Sequence, residues 1–123
     1  MCAQLFKNDK TKSFYIYDPE TFIDKKSFFK ADLTLSLDVI YHLVEDQIYE
    51  DYMYQLFTAA KKYVIIYSSD TDQNPPLKLP HYKNRYFTKW LQKNIPNWKL
   101  IKVLKNKYPK ESDCRFFIYE KNK

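Results

Sequence analysis

Asp38 and His42 stand four residues apart, directly after the alternating run Leu33-Thr34-Leu35-Ser36-Leu37. An aspartate at the carboxyl end of a strand lies where open α/β sheets bind their ligands. A histidine ring titrates near neutral pH and is suited to take a proton from an acceptor. The same residue types also brace loops, because Asp and a histidine at a helix start both bond to nearby backbone. Further along, Ser68, Ser69 and Asp70 follow a second apolar run and fall on the same sheet edge as Asp38. They are candidates for the substrate side, although polar residues there also satisfy the backbone groups of a strand end. His81 and Arg85 are spaced by one helical turn and can hold an anionic substrate, or form a plain surface pair beside Trp90.

Other chemistries are poorly served. His42 and His81 are isolated, and Cys2 and Cys114 are the 2 cysteines, so no metal-ligand spacing and no Ser–His–Asp or Cys–His set can be assembled. There are 0 glycines, where an average chain of this length carries about nine. Phosphate-cradling loops need glycine for positive φ and close backbone approach, which excludes Walker-type and ordinary dinucleotide sites within the chain. Turns must use Asn, Asp and Pro.

The charge is +6, from 21 Lys plus Arg against 15 Asp plus Glu, and all but Arg85 and Arg115 of those bases are lysine. Arginine is the residue preferred for bidentate phosphate and base contacts, so this excess reads as solvated surface rather than a nucleic-acid footprint. With 45% hydrophobic and 19% aromatic residues the chain is not intrinsically disordered. Its 123 residues make one domain. No apolar run has membrane-span length and no signal-peptide core opens the chain, so a cytoplasmic protein with reduced thiols and no membrane partner is expected.

The elements that would position these residues follow from periodicity. Residues 13–17 (SFYIY) form a short β-rich run stopped by Asp18-Pro19, and Ala31–Leu37 a second strand leading into Asp38. Over 46–61, Ile48, Tyr49, Tyr52, Met53, Leu56, Phe57 and Ala60 recur at three and four, one face of a helix. Asp46 and Glu50 suit its start, Lys61 and Lys62 its end. Residues 63–67 (YVIIY) read as a strand buried on both faces. Residues 70–80 hold four loop-forming Asn and Pro positions, and 81–94 reads as helix with Tyr82, Tyr86, Phe87, Trp90 and Leu91 on one side. Residues 98–104 and 114–119 close the chain as two strands, joined too briefly for a helical crossover and so antiparallel. The expected fold is an α/β sheet, mostly parallel with an antiparallel edge element.

The stretch from Asp32 to Asp46 (DLTLSLDVIYHLVED) resembles the fourth strand and following loop of class I S-adenosylmethionine-dependent methyltransferases. In those enzymes a strand ends in a polar residue, followed by a hydrophobic pair and a His-Leu that starts the next helix. The resemblance continues through residues 63–69 (YVIIYSS) as the fifth strand, through His81, Arg85 and Trp90 as the following helix, and through the last hairpin ending in residues 116–119 (FFIY). An antiparallel final strand separates that fold from true dinucleotide-binding domains.

What the resemblance implies is a Rossmann-like methyltransferase sheet with its N-terminal strands missing, so that 1–123 is a single, partial domain. Residues 2–9 (CAQLFKND) correspond to the end of a helix and the third-strand region. Asp9 would contact the adenine, Ser36, Leu37 and Asp38 would line the cofactor, and Asp38 and His42 would face the methyl acceptor, a small molecule. The Gly-rich turn for the methionine moiety and the second-strand acid for the ribose have no counterpart here. The reading frame is then shortened, or a second chain or self-association completes the sheet. The alternative is a catalytically inactive methyltransferase-fold module that binds another protein.

Overall fold

The computed structural model describes residues 1–18, 24, 28–76 and 79–123. A single helical turn, α1 (Cys2–Leu5), comes first; β1 (Ala31–Leu37), a 3₁₀ turn (Ile40–His42), α2 (Asp46–Ala59) and β2 (Ala60–Ser68) follow. Then come α3 (Phe87–Asn94), β3 (Trp98–Leu104) and β4 (Arg115–Lys121). The four strands form one open sheet in the order β1-β2-β4-β3.

β1 and β2 are parallel, in register from Leu33 opposite Tyr63 to Leu37 opposite Tyr67. β4 is antiparallel to both β2 and β3. It follows that β1, β2 and β3 run in one direction and that the last strand enters between β2 and β3 in the other. The terminal hairpin is therefore antiparallel as expected, but its final strand is interior rather than at an edge. β3, not β4, holds that edge.

α2 begins at Asp46, where an acid favours the positive end of the helix dipole. It ends at Ala59, two residues short of the expected 61, and Lys61 and Lys62 lie in β2 instead. The core sits between the two helices and one face of the sheet. Tyr49, Met53, Leu56 and Phe57 from α2 and Phe87 and Leu91 from α3 meet Val64 and Ile66 of β2 and Phe117 and Tyr119 of β4. Phe87 stands edge-on to Phe117 at 4.9 Å, and Phe57 edge-on to both Trp98 and Tyr119.

Three expectations fail. Residues 13–17 are not a strand; they run irregularly and mostly exposed, because among the described residues no neighbouring strand accepts their backbone. Pro19 of the expected turn lies outside the described residues, as do 77 and 78 of the following loop. Residues 2–9 likewise contain a helical turn and no strand. Residues 63–67 are not buried on both faces. Val64 and Ile66 are sealed under the helices, while Tyr63 opposite them is 39% exposed, since both long helices pack on the same side.

The helix expected over 81–94 starts only at Phe87. Side chains hold the preceding segment extended: Asn84 and Asn74 exchange hydrogen bonds (2.6 and 3.1 Å) and Tyr86 N–H donates to Asp72 Oδ1 at 2.7 Å. Asx side chains compete with the helix for backbone donors in this way.

Burial pushes the Tyr49, Tyr52 and Tyr119 hydroxyls up from the ordinary tyrosine range. The Tyr49 and Tyr119 hydroxyls find no hydrogen-bond partner among the described residues. A neutral phenol favoured by the fold contributes stability that is full below about pH 10 and is lost as pH rises above it, where the unfolded chain ionises first. Urea unfolding at pH 8 and pH 11 should show that fall, and Tyr119→Phe should lessen it. An unchanged midpoint at pH 11 would contradict the assignment.

Candidate functional site

The carboxyl ends of β1, β2 and β3 and the start of β4 lie at one end of the sheet. Asp38 is the first residue past β1. Its φ is +65°, the left-handed region, which Asp tolerates better than most side chains. Its N–H donates to Tyr67 O at 3.0 Å, and its Oδ1 accepts from the Tyr41 hydroxyl. That bond and partial burial raise the Tyr41 hydroxyl far above the usual range, burial being the larger cause. Cys114 is close enough to contribute electrostatically.

His42 ends the 3₁₀ turn, and its Nδ1 lies 3.0 Å from His81 O. A carbonyl only accepts, so Nδ1 carries a proton and donates it, and Nε2 takes no part in that bond. Tyr41 stacks at a tilt on both His42 and Tyr82, at 4.5 and 5.3 Å. Asp38, Tyr41, His42 and His81 thus form one chain of contacts. His81 joins it through its backbone.

At the same end of the sheet opens a cleft of about 480 Å³, within the size range of small-molecule sites, although none of Asp38, Tyr41, His42 and His81 lines it. Ser69, Asp70 and Thr71 line it after β2, and Asn106, Cys114 and Arg115 line it from the β3–β4 connection and the start of β4. Asn106 donates to the Tyr67 hydroxyl at 3.1 Å, which links the cleft to the strand that binds Asp38. Ser69 Oγ donates to Asn84 Oδ1 at 2.6 Å. Asp70 accepts from both the N–H and the hydroxyl of Thr88 (3.0 and 2.7 Å), which caps the start of α3. Ser68 is buried, and its hydroxyl has no partner among the described residues.

Arg85 faces elsewhere. Its guanidinium donates to Leu43 O (2.5 Å), Val44 O (2.8 Å) and Asp46 Oδ1 (2.8 Å) and lies over the Tyr49 ring. Asp46 is held below the usual carboxylate range by Lys83 and then by Arg85. The helical spacing expected of His81 and Arg85 does not arise, because the segment is not helical.

The residues named for the cofactor are scattered and committed. Asp9 lies in an exposed turn with its carboxylate on Thr11 and Lys12. Ser36 is buried, its Oγ accepting from the Tyr52 hydroxyl at 2.9 Å, and the Leu37 side chain is on the opposite face of the sheet. No described group offers a backbone cradle for an amino-acid moiety or a second acid for a ribose. The described residues therefore do not make up an S-adenosylmethionine site.

Sequence reasoning missed Tyr41, Tyr67, Asn106, Cys114 and Arg115. Only Tyr41 had a local signal, three residues after Asp38; the others reach the site through strand pairing. Compared with known proteins, the chain matches no family model, no curated protein and no solved structure.

Proposed function

We propose that the chain is the acceptor-binding part of a class I S-adenosylmethionine-dependent methyltransferase domain, acting on a small molecule. One observation carries the reading. Three strands of common direction and a single antiparallel last strand bring the Asp38–Tyr41–His42 chain to the same sheet end as a ligand-sized cleft. The resemblance of residues 32–46 and 63–69 to the family's fourth and fifth strands falls on the parallel pair β1 and β2.

In this reading the acceptor occupies the cleft between the β2 end and the β3–β4 connection. An acceptor that extends out of the cleft toward the end of β1 would present its proton to Nε2 of His42, which does not itself line the cleft, and the Asp38–Tyr41 bond fixes the loop that carries His42. The group to be transferred would come from S-adenosylmethionine, which supplies an activated methyl. The described residues do not build a site for it.

Each missing hydrogen bond to a neutral group is worth about 0.5–1.5 kcal/mol and to a charged group about 1.5–3 kcal/mol. Several together remove two or more decades of affinity. Calorimetry on the chain alone should therefore detect no binding of S-adenosylmethionine at micromolar concentration. At millimolar cofactor, NMR shifts should concentrate on the amides of Leu37, Asp38 and Tyr41. Shifts scattered over the surface, or none, would end the methyltransferase reading. Micromolar binding lost in Asp38→Ala would show instead that this chain builds a complete site.

A second reading, an inactive module of the same fold that binds protein, is favoured by the uncovered sheet face. Leu33, Leu35 and Leu37 are 41%, 52% and 48% exposed there, beside Tyr63 and Phe116.

A further inference from the structure

The sheet has two outer edges, and they are built differently. β3 carries Lys99 and Lys102 and is followed by Lys105, the charges that keep an edge from pairing with other chains. β1 (ADLTLSL) has neither lysine nor proline within it, and its one charge, Asp32, is paired with Lys62 of β2 at 3.4 Å. Its pairing shows which way its backbone points. Asp38 N–H donates to Tyr67 O, and alternation then turns Ser36 and Thr34 toward β2 as well. The amides and carbonyls of Leu33, Leu35 and Leu37 face outward. Among the described strands none takes them.

From this edge we infer that β1 pairs antiparallel with β1 of a second copy of the chain, about a two-fold axis at Thr34. Three features select that occupant and that register. Thr34 is the midpoint of the seven-residue strand, so the overlap is complete and every outward-facing leucine amide meets an outward carbonyl. On the uncovered face Leu33 meets Leu35 of the second copy and Ala31 meets Leu37. On the helix side Asp32 meets Ser36 and Thr34 meets itself. Just beyond each strand end Lys30 of one copy lies across from Asp38 of the other, opposite charges, although within its own chain Lys30 Nζ donates to Thr58 O and Asp38 Oδ1 accepts from Tyr41.

Of the two neighbouring symmetric registers, the one centred on Leu35 sets Asp32 against Asp38, two acids, and leaves Ala31 without a strand partner, while the one centred on Leu33 leaves Ser36 and Leu37 without strand partners. Overlap rejects both neighbours, and charge rejects the first as well. Such an interface is isologous and closes at the dimer. It does not depend on the methyltransferase reading. A polypeptide adding a strand to β1 would have to displace the second copy, so the two modes exclude each other.

Sedimentation velocity of the full chain from low micromolar to near-millimolar concentration should show a reversible monomer–dimer equilibrium. Lys30→Glu, which sets Glu against Asp38 at both ends, should weaken the dimer by about tenfold, a shift of about 1.4 kcal/mol. In a Cys2→Ser, Cys114→Ser background, Thr34→Cys should oxidise to a covalent dimer. Facing residues of a non-hydrogen-bonded pair are about 4.5 Å apart at Cα, inside disulfide reach. Asp32→Cys should not cross-link, because the two copies of residue 32 are four pairs apart. A monomer throughout the concentration range, as when the edge awaits a strand from a different polypeptide, would overturn the inference. So would equal cross-linking of Asp32→Cys, or cross-linking through Lys102→Cys on β3.

Discussion

Phe87→Ala is expected to lower the unfolding free energy by about 3–5 kcal/mol, the range for deleting a buried aromatic ring. Phe87 is 0% exposed, opens α3 and stands edge-on to Phe117 of the inserted strand. Its loss leaves a cavity at the junction of helix and sheet. The surrounding rings cannot close that cavity without giving up their own contacts. For a domain with a total of about 5–15 kcal/mol this is a large fraction. Urea unfolding followed by far-UV circular dichroism would measure it. A loss below about 1 kcal/mol would mean that α3 does not seal the core as described. Thr88→Ala, one residue on, removes a cap contact to Asp70 and should cost less, about 1 kcal/mol.

Arg85→Ala should cost about 2–4 kcal/mol, because it strips the donors from Leu43 O and Val44 O and removes the cation from the Tyr49 ring. The Arg85 side chain is only 12% exposed, so solvent cannot replace those bonds freely. Asp46 would keep Lys83, at 2.5 Å, and is not the main loss. Arg85→Lys should recover less than half of the deficit, since one ammonium cannot span two carbonyls and a carboxylate with the planar fork of a guanidinium. The loop that Arg85 clamps begins just after His42, so the same variant should broaden the His42 ring signals in NMR. Wild-type stability in Arg85→Ala would refute this structural role and leave the guanidinium open to a ligand.

Arg85 belongs to the way a chain without glycine builds its connections. Asx side chains and one arginine take the place of tight backbone turns. Asn74 and Asn84 clasp each other, Asp72 receives Tyr86 N–H, Asp70 receives Thr88, and Arg85 gathers two carbonyls. Only Asp38 among the described residues adopts a positive φ.

Much of the fold was legible because it rests on local periodicity. Ala31–Leu37 and Trp98–Leu104 have the ends that alternation and turn residues indicate, and α2 starts where its acid stands. The short link between the last two strands required them to be antiparallel. Residues 13–17 had strand composition, but composition cannot supply a neighbouring strand. The early end of the 81–94 pattern depends on hydrogen bonds to residues ten or more positions away.

What only the tertiary structure decided is long-range. The insertion of β4 between β2 and β3 and the placing of both long helices on one sheet face are set by which surfaces meet. Periodicity records only that a surface is apolar. Residues 63–67 are apolar on both sides, yet on one side no described helix lies over them. The cleft joins Ser69 and Asp70 to Asn106, Cys114 and Arg115 because β2 and β4 are hydrogen-bonded neighbours, a pairing between segments about fifty residues apart in register. Arg85 shows the same limit from the other direction. Its type fits an anion site, but backbone carbonyls of a distant loop reach it first, and only the packed chain brings those carbonyls within 3 Å.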